Sequence, residues 1–142
     1  MNSITANIDG ACKGNPGKGG WGYVVSDGFR KNGGKKYTTN GEMELTALYE
    51  CLLYLSTKNY KHMTVHGDAK WIMDALNKRW ICKWELNDWK KYNKKEVAHK
   101  HIWKNISNIL YGFRNKSVVV FKWISRDKNK EADAEANKGV YK

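Results

Sequence analysis

Four acids stand out against a lysine-rich background: Asp9, Glu44, Asp68 and Asp133. Asp9 closes an alternating run, Glu44 opens a helical pattern, Asp68 ends a second alternation, and Asp133 lies early in a closing helical segment. Strand ends and helix starts of such sheets gather on one rim, where sites usually form. Four carboxylates brought together repel one another, a cost tolerated chiefly when cations neutralise it. Hard oxygen donors completed by water suit Mg²⁺ or Mn²⁺. Two such ions about 3.5–4 Å apart serve phosphodiester hydrolysis, activating a water and stabilising the leaving oxygen. No side-chain nucleophile is required. Taken singly, each acid also has an ordinary use: Asp9 before Gly10 in a turn, Glu44 at a helix dipole, Asp68 as a helix cap. Spacing alone does not join them into a site.

The elements that must position these acids follow from periodicity. Ile4, Ala6 and Ile8 alternate with Thr5, Asn7 and Asp9, a strand over 4–8. Residues 10–20 hold five glycines and the single proline, Pro16, and read as a turn-forming stretch. A second strand is expected over 20–26 and a third over 29–38, after the Asp27-Gly28 turn signal. Leu45, Leu48, Leu52 and Leu55 recur at three- and four-residue steps, an amphipathic helix over 43–57. A fourth strand spans 62–67 and a fifth 117–124, with helices over 70–77, 97–110 and 130–138, and a short Trp- and Lys-rich segment between the first two completes the run of three. The order β-β-β-α-β-α-α-α-β-α implies an α/β fold, a five-stranded mixed sheet in which an antiparallel meander is extended by parallel strands, with helices packed on it.

Composition sets the frame. The 142 residues match one ordinary domain, and 41% hydrophobic content with 13% aromatics excludes a disordered chain. The net charge of +12 suggests a polyanionic partner, with a solvated lysine-rich surface as the competing reading. Cys12, Cys51 and Cys82 form no C-x-x-C pair, which points to a reducing compartment. Neither a signal peptide nor a membrane span is read, so a cytoplasmic protein is expected, acting as a monomer.

Larger motifs then match a family. NIDGACKGNPG at 7–17, GGWGYVV, TNGEMELTAL at 39–48, HGDAKWI at 66–72, the Trp spacing from Trp80 to Trp103 and KNKEADAEAN at 128–137 resemble type 1 ribonuclease H. The likeness runs over about residues 4–138 in the family's order. It implies the ribonuclease H-like fold over 1–142 and hydrolysis of the RNA strand of RNA–DNA hybrids, leaving 5′-phosphate and 3′-hydroxyl ends. By that resemblance Asp9 bridges two Mg²⁺ ions (Mn²⁺ being the alternative), Asp133 helps hold the one beside the attacking water, and Glu44 and Asp68 complete the other. Glu42 and Glu131 neighbour these acids, and the sequence alone does not separate them from Glu44 and Asp133.

The resemblance also assigns the substrate surfaces. Cys12, Asn15, Asn40 and Gly41 are expected to meet the RNA strand in the minor groove, with Gly41 standing where many relatives carry a second amide. Thr39 matches a position that binds a DNA phosphate. Residues 70–104 carry ten Lys/Arg against four acids and five of the seven tryptophans, matching the family's basic handle for the DNA strand. Trp80, Trp84 and Trp89 are expected against deoxyriboses, although Trp80 and Trp84, four apart, fit a core face equally well. Lys83, Lys90, Lys91, Lys94 and Lys95 are the expected phosphate contacts.

One feature departs from most cellular members. The loop before the last acid shrinks to Ser125–Asn129 and holds no histidine, as in a subgroup with the pattern W-V-x-R-x-x-N-x-x-A-D. His66, two residues before Asp68, reads as a strand histidine, so turnover without a histidine shuttle is expected. Two other readings compete: a related nuclease acting on DNA junctions or ends, and a non-catalytic binding module. The GNPG block and the handle argue against the first, the complete acid set against the second.

Overall fold

The computed structural model describes residues 2–142. Strands β1 (Ser3–Lys13), β2 (Gly17–Val25) and β3 (Arg30–Thr38) form the meander, followed by helix α1 (Asn40–Leu55) and strand β4 (His62–Gly67). Helices α2 (Lys70–Asn77), α3 (Trp80–Leu86) and α4 (Lys100–Gly112) lead to strand β5 (Val118–Trp123). A 3-10 turn at Arg126–Lys128 then precedes α5 (Lys130–Val140). The sheet order is β3-β2-β1-β4-β5, antiparallel from β3 to β1 and parallel from β1 to β5. This is the five-stranded mixed sheet expected from the pattern. Among the described residues no helix is long and apolar enough to cross a membrane.

The helices cover different faces. Helix α1 buries Met43 and also Leu45, Ala47, Leu48, Cys51, Leu52 and Leu55, the latter six joining Ile4, Ala6 and Ile8 of β1 and Met63 and Val65 of β4 in one core. That face is the apolar stripe seen in the sequence. Helix α5 lies across β2 on the opposite face, where a Cβ at Gly22 would strike the α5 backbone at Ala136 and the side chain of Glu135. Only a bare backbone permits this approach, and it places the first turn of α5 beside β1.

The expected turn over 10–20 needs correction. Strand β1 continues through Gly10-Ala11-Cys12-Lys13, and β2 begins at Gly17, leaving a turn of Gly14-Asn15-Pro16. The glycine-rich composition hid a paired strand, because backbone pairing with β2 stabilises it without an alternating side-chain pattern. Asp9 is therefore inside a strand rather than at its end, opposite Gly22.

Candidate active site

Register explains how the acids meet. The parallel pairing of β1 and β4 ends at Ile8↔Gly67, so Asp9 and Asp68 follow side by side where the two strands part. Asp68 does not cap α2: Ala69 is the cap residue, and no side chain bonds to that helix start. Glu44 arrives from the first turns of α1. A Cβ at Gly10 would fall on the Met43–Glu44 backbone, so glycine there lets the helix touch the strand. One carboxylate oxygen each of Asp9, Glu44 and Asp68 lies within 4.8 Å of the others. Asp133, from α5, stands outside that cluster but near enough to Asp9 for its carboxyl to raise it. The four acids picked from the sequence thus occupy one rim.

Their electrostatics fit a cation site. Burial, the Asp68 charge and Asp133 push Asp9 up to about 8, against the lowering effect of the Gly10 N–H, which donates to Asp9 Oδ1 at 2.9 Å. Burial and Asp68 raise Glu44 to about 7, although Trp71, Arg126 and Asn40 act the other way. Both shifts measure the cost of confining negative charge without a cation.

The neighbouring glutamates separate cleanly. Glu42 pairs with Lys35 at 2.8 Å and accepts from the Thr38 hydroxyl. Burial alone would raise it, but these two partners hold it below the usual carboxylate range. Glu131 is 75% exposed and 3.7 Å from Arg30. Both have partners elsewhere.

The residues expected at the RNA strand form a connected rim. Cys12 Sγ donates to the Gly14 carbonyl at 2.9 Å. Asn15 Oδ1 accepts from the Asn40 N–H at 2.9 Å, and Asn40 Nδ2 donates to Glu44 Oε1 at 3.3 Å. The 14–16 turn is thereby tied to the helix that carries a site acid. Gly41 stands beside the His99 and Trp71 rings. Thr39 Oγ1 accepts from the Glu42 N–H at 3.2 Å and caps α1.

The handle is more mixed. Lys83, Lys90, Lys91, Lys94 and Lys95 are all exposed. Trp80 and Trp84 are half-buried, their rings tilted against one another, and Trp84 meets Trp103 edge-on. Trp89 is a correction: only 7% exposed, it packs against Trp84 with Lys104 over its ring, and little of it remains to meet a deoxyribose. Spacing could not show this, because the ring is buried by residues from α3 and α4 rather than by its sequence neighbours. His66 is half-buried in β4, and burial followed by the Lys122 charge lowers it. Sequence reasoning also passed over Asn129, which is buried beside Asp68; its only signal was its place in the short-loop pattern.

The family model for RNase H matches residues 1–141. The ribonuclease H of Francisella philomiragia subsp. philomiragia is 37% identical over 98% of this chain and 91% of its own length. The chain belongs to the ribonuclease H family. Solved ribonucleases H share its fold: RNase H1 from Halobacterium salinarum has a TM-score of 0.75 at 22% identity over 98% of both chains. LC11-RNase H1, isolated from compost, was solved in complex with an RNA/DNA hybrid. Its TM-score is 0.70 at 21% identity, covering 97% of this chain and 96% of that one.

Proposed function

We propose that this ribonuclease H is a single-domain, monomeric endonuclease that hydrolyses the RNA strand of RNA–DNA hybrids with two divalent ions, leaving 5′-phosphate and 3′-hydroxyl ends. The observation that carries the reading is the meeting of Asp9, Glu44 and Asp68 oxygens within 4.8 Å, with Asp133 against Asp9. The residues fit the ions: all the donors are carboxylate oxygens, and two of the acids are pushed far above their ordinary values by burial and mutual charge. Mg²⁺ is the expected ion, with Mn²⁺ a substitute. Bound there, the ions supply charge neutralisation at the phosphodiester and a water of lowered pKa.

The protein's own groups do the rest. Asp9, Glu44 and Asp68 gather charge in one cluster, and Asp133 adds to it from the α5 side. Asn40 orients Glu44, and the 14–16 turn holds the rim that faces ribose 2′-hydroxyls, the groups that distinguish RNA from DNA. Exposed handle lysines neutralise phosphates of the DNA strand. The short loop supplies no histidine, so proton transfer to the leaving oxygen comes from solvent.

End-labelled RNA–DNA hybrid, duplex RNA and duplex DNA incubated with Mg²⁺, Mn²⁺ or EDTA test this reading. Cutting confined to the RNA of the hybrid, and lost in EDTA, is expected. Cleavage of duplex DNA would replace it with a junction- or end-acting nuclease, and tight binding with no cleavage in either metal would make the chain a binding module.

A further inference from the structure

We infer that Asn129 is a positioning residue that sets the Asp68 carboxylate, and with it the metal-binding geometry of the whole rim. The inference rests on the two-ion reading above but concerns a residue outside the acid set.

Asn129 is 1% exposed, and its side-chain amide is fully engaged. Nδ2 donates to the Ile8 carbonyl at 2.8 Å and to Asp68 Oδ2 at 3.1 Å. Oδ1 accepts from Asn7 Nδ2 at 3.2 Å. Both amide protons and the carbonyl oxygen therefore have partners, as a buried amide requires. The orientation has no alternative: a flipped amide would turn its oxygen onto the Ile8 carbonyl and the Asp68 carboxylate, three acceptors together.

The partners give the amide its meaning. The Ile8 carbonyl belongs to the peptide that leads into Asp9. Asp68 is a site acid. The main-chain carbonyl of Asn129 accepts from the N–H of Asp133 at 3.0 Å, opening the turn that carries the fourth acid. One residue is thus bonded to the peptide before the first acid, the carboxylate of the third and the backbone of the fourth. A charged carboxylate held on one oxygen by a fixed donor keeps its plane while cations bind, and loss of such outer partners typically costs 10–100-fold in metal affinity or activity. Asn7 fixes the amide in turn.

The test compares wild type, Asn129→Ala and Asn7→Ala. Mn²⁺ binding is titrated without substrate, followed by the paramagnetic broadening of amide signals around the rim, with Mg²⁺ as a diamagnetic control. Hybrid cleavage is measured at saturating metal, and folding by thermal unfolding. Asn129→Ala is expected to bind Mn²⁺ about tenfold more weakly and to lose about 10–100-fold in kcat, with KM for the hybrid within about twofold. A loss of metal affinity below about threefold overturns the inference and leaves Asn129 a structural staple, whatever its effect on Tm. Should Asn129→Ala fail to fold, Asn7→Ala decides: weakening of about twofold or more supports the inference, and less overturns it. Because metal binding is read without substrate, a wild type that binds Mn²⁺ but never cuts hybrid would sink the proposed function while leaving this inference to its own result.

Discussion

The carboxylate rim and the basic handle are built by different means. The rim is positioned by backbone: the end of the β1–β4 ladder sets Asp9 beside Asp68, Gly10 admits α1, and Gly22 admits α5. The handle is a short helix and a loop around tryptophans packed at tilted and edge-on angles, with Arg79, Asp88, Trp89, Lys94 and His99 all in the left-handed backbone region. Its lysines stand in solvent, and their effect depends on number more than on placement. On the proposed reading, chemistry that needs close placement is seated where strands and helices meet, whereas a phosphate grip that tolerates motion is left to a loop.

The two regions should break differently. Asp9→Asn, measured by single-turnover cleavage, is expected to cut the rate by at least about 10³-fold while hybrid affinity stays within about threefold. Gly10→Val drives a side chain into the Met43–Glu44 backbone. It should lower activity by about 10²-fold and stability by roughly 2–3 kcal/mol in urea unfolding.

The rim's charge also appears in stability without metal. Asp9 and Glu44 have folded values of about 8 and 7, above their ordinary 3.8 and 4.5. Their raised values favour the fold when protonated, a contribution complete below about pH 4 and lost as pH rises through 7–8. Asp9→Asn should therefore gain on wild type across that window, reaching roughly 2 kcal/mol, or about 4–8 °C in Tm, at pH 8 in EDTA. Added Mg²⁺ should shrink the gap by stabilising wild type alone. A gap that does not change with pH would show that the acids do not share a burial cost.

The handle gives smaller, graded effects. Replacing Lys90, Lys91, Lys94 and Lys95 together with alanine should raise KM about tenfold with kcat within about twofold, and flatten the salt dependence of binding. Trp89→Ala should act through stability, losing roughly 3 kcal/mol as a core ring is removed. Glu42→Gln and Glu131→Gln, outside the acid cluster, should leave kcat within about twofold of wild type.

The same contrast runs through what the sequence discloses. Helix α1 is legible because its leucines repeat at helical steps, and the acids are legible because motifs surround them. Strand β1 beyond Asp9 is not, because pairing with β2 over Gly10–Lys13 leaves no period in glycine, alanine and cysteine. Glycine at position 10 reads as a turn until α1 is seen against it. Trp89 and Asn129 resist for one reason: each is defined by partners far along the chain, Trp103 through Trp84 for the ring, Ile8 and Asp68 for the amide. Spacing reports neighbours on one element, and these residues work between elements.

A single Mg²⁺ titration, with hybrid cleavage and hybrid binding read in the same samples for wild type and Asp9→Asn, tests the central claim most directly. Wild-type cleavage should be absent in EDTA and rise with Mg²⁺, binding should persist without metal, and Asp9→Asn should bind but not cut. Cleavage in EDTA, or undiminished cleavage by Asp9→Asn, would contradict the assignment of the carboxylate rim as the catalytic metal site.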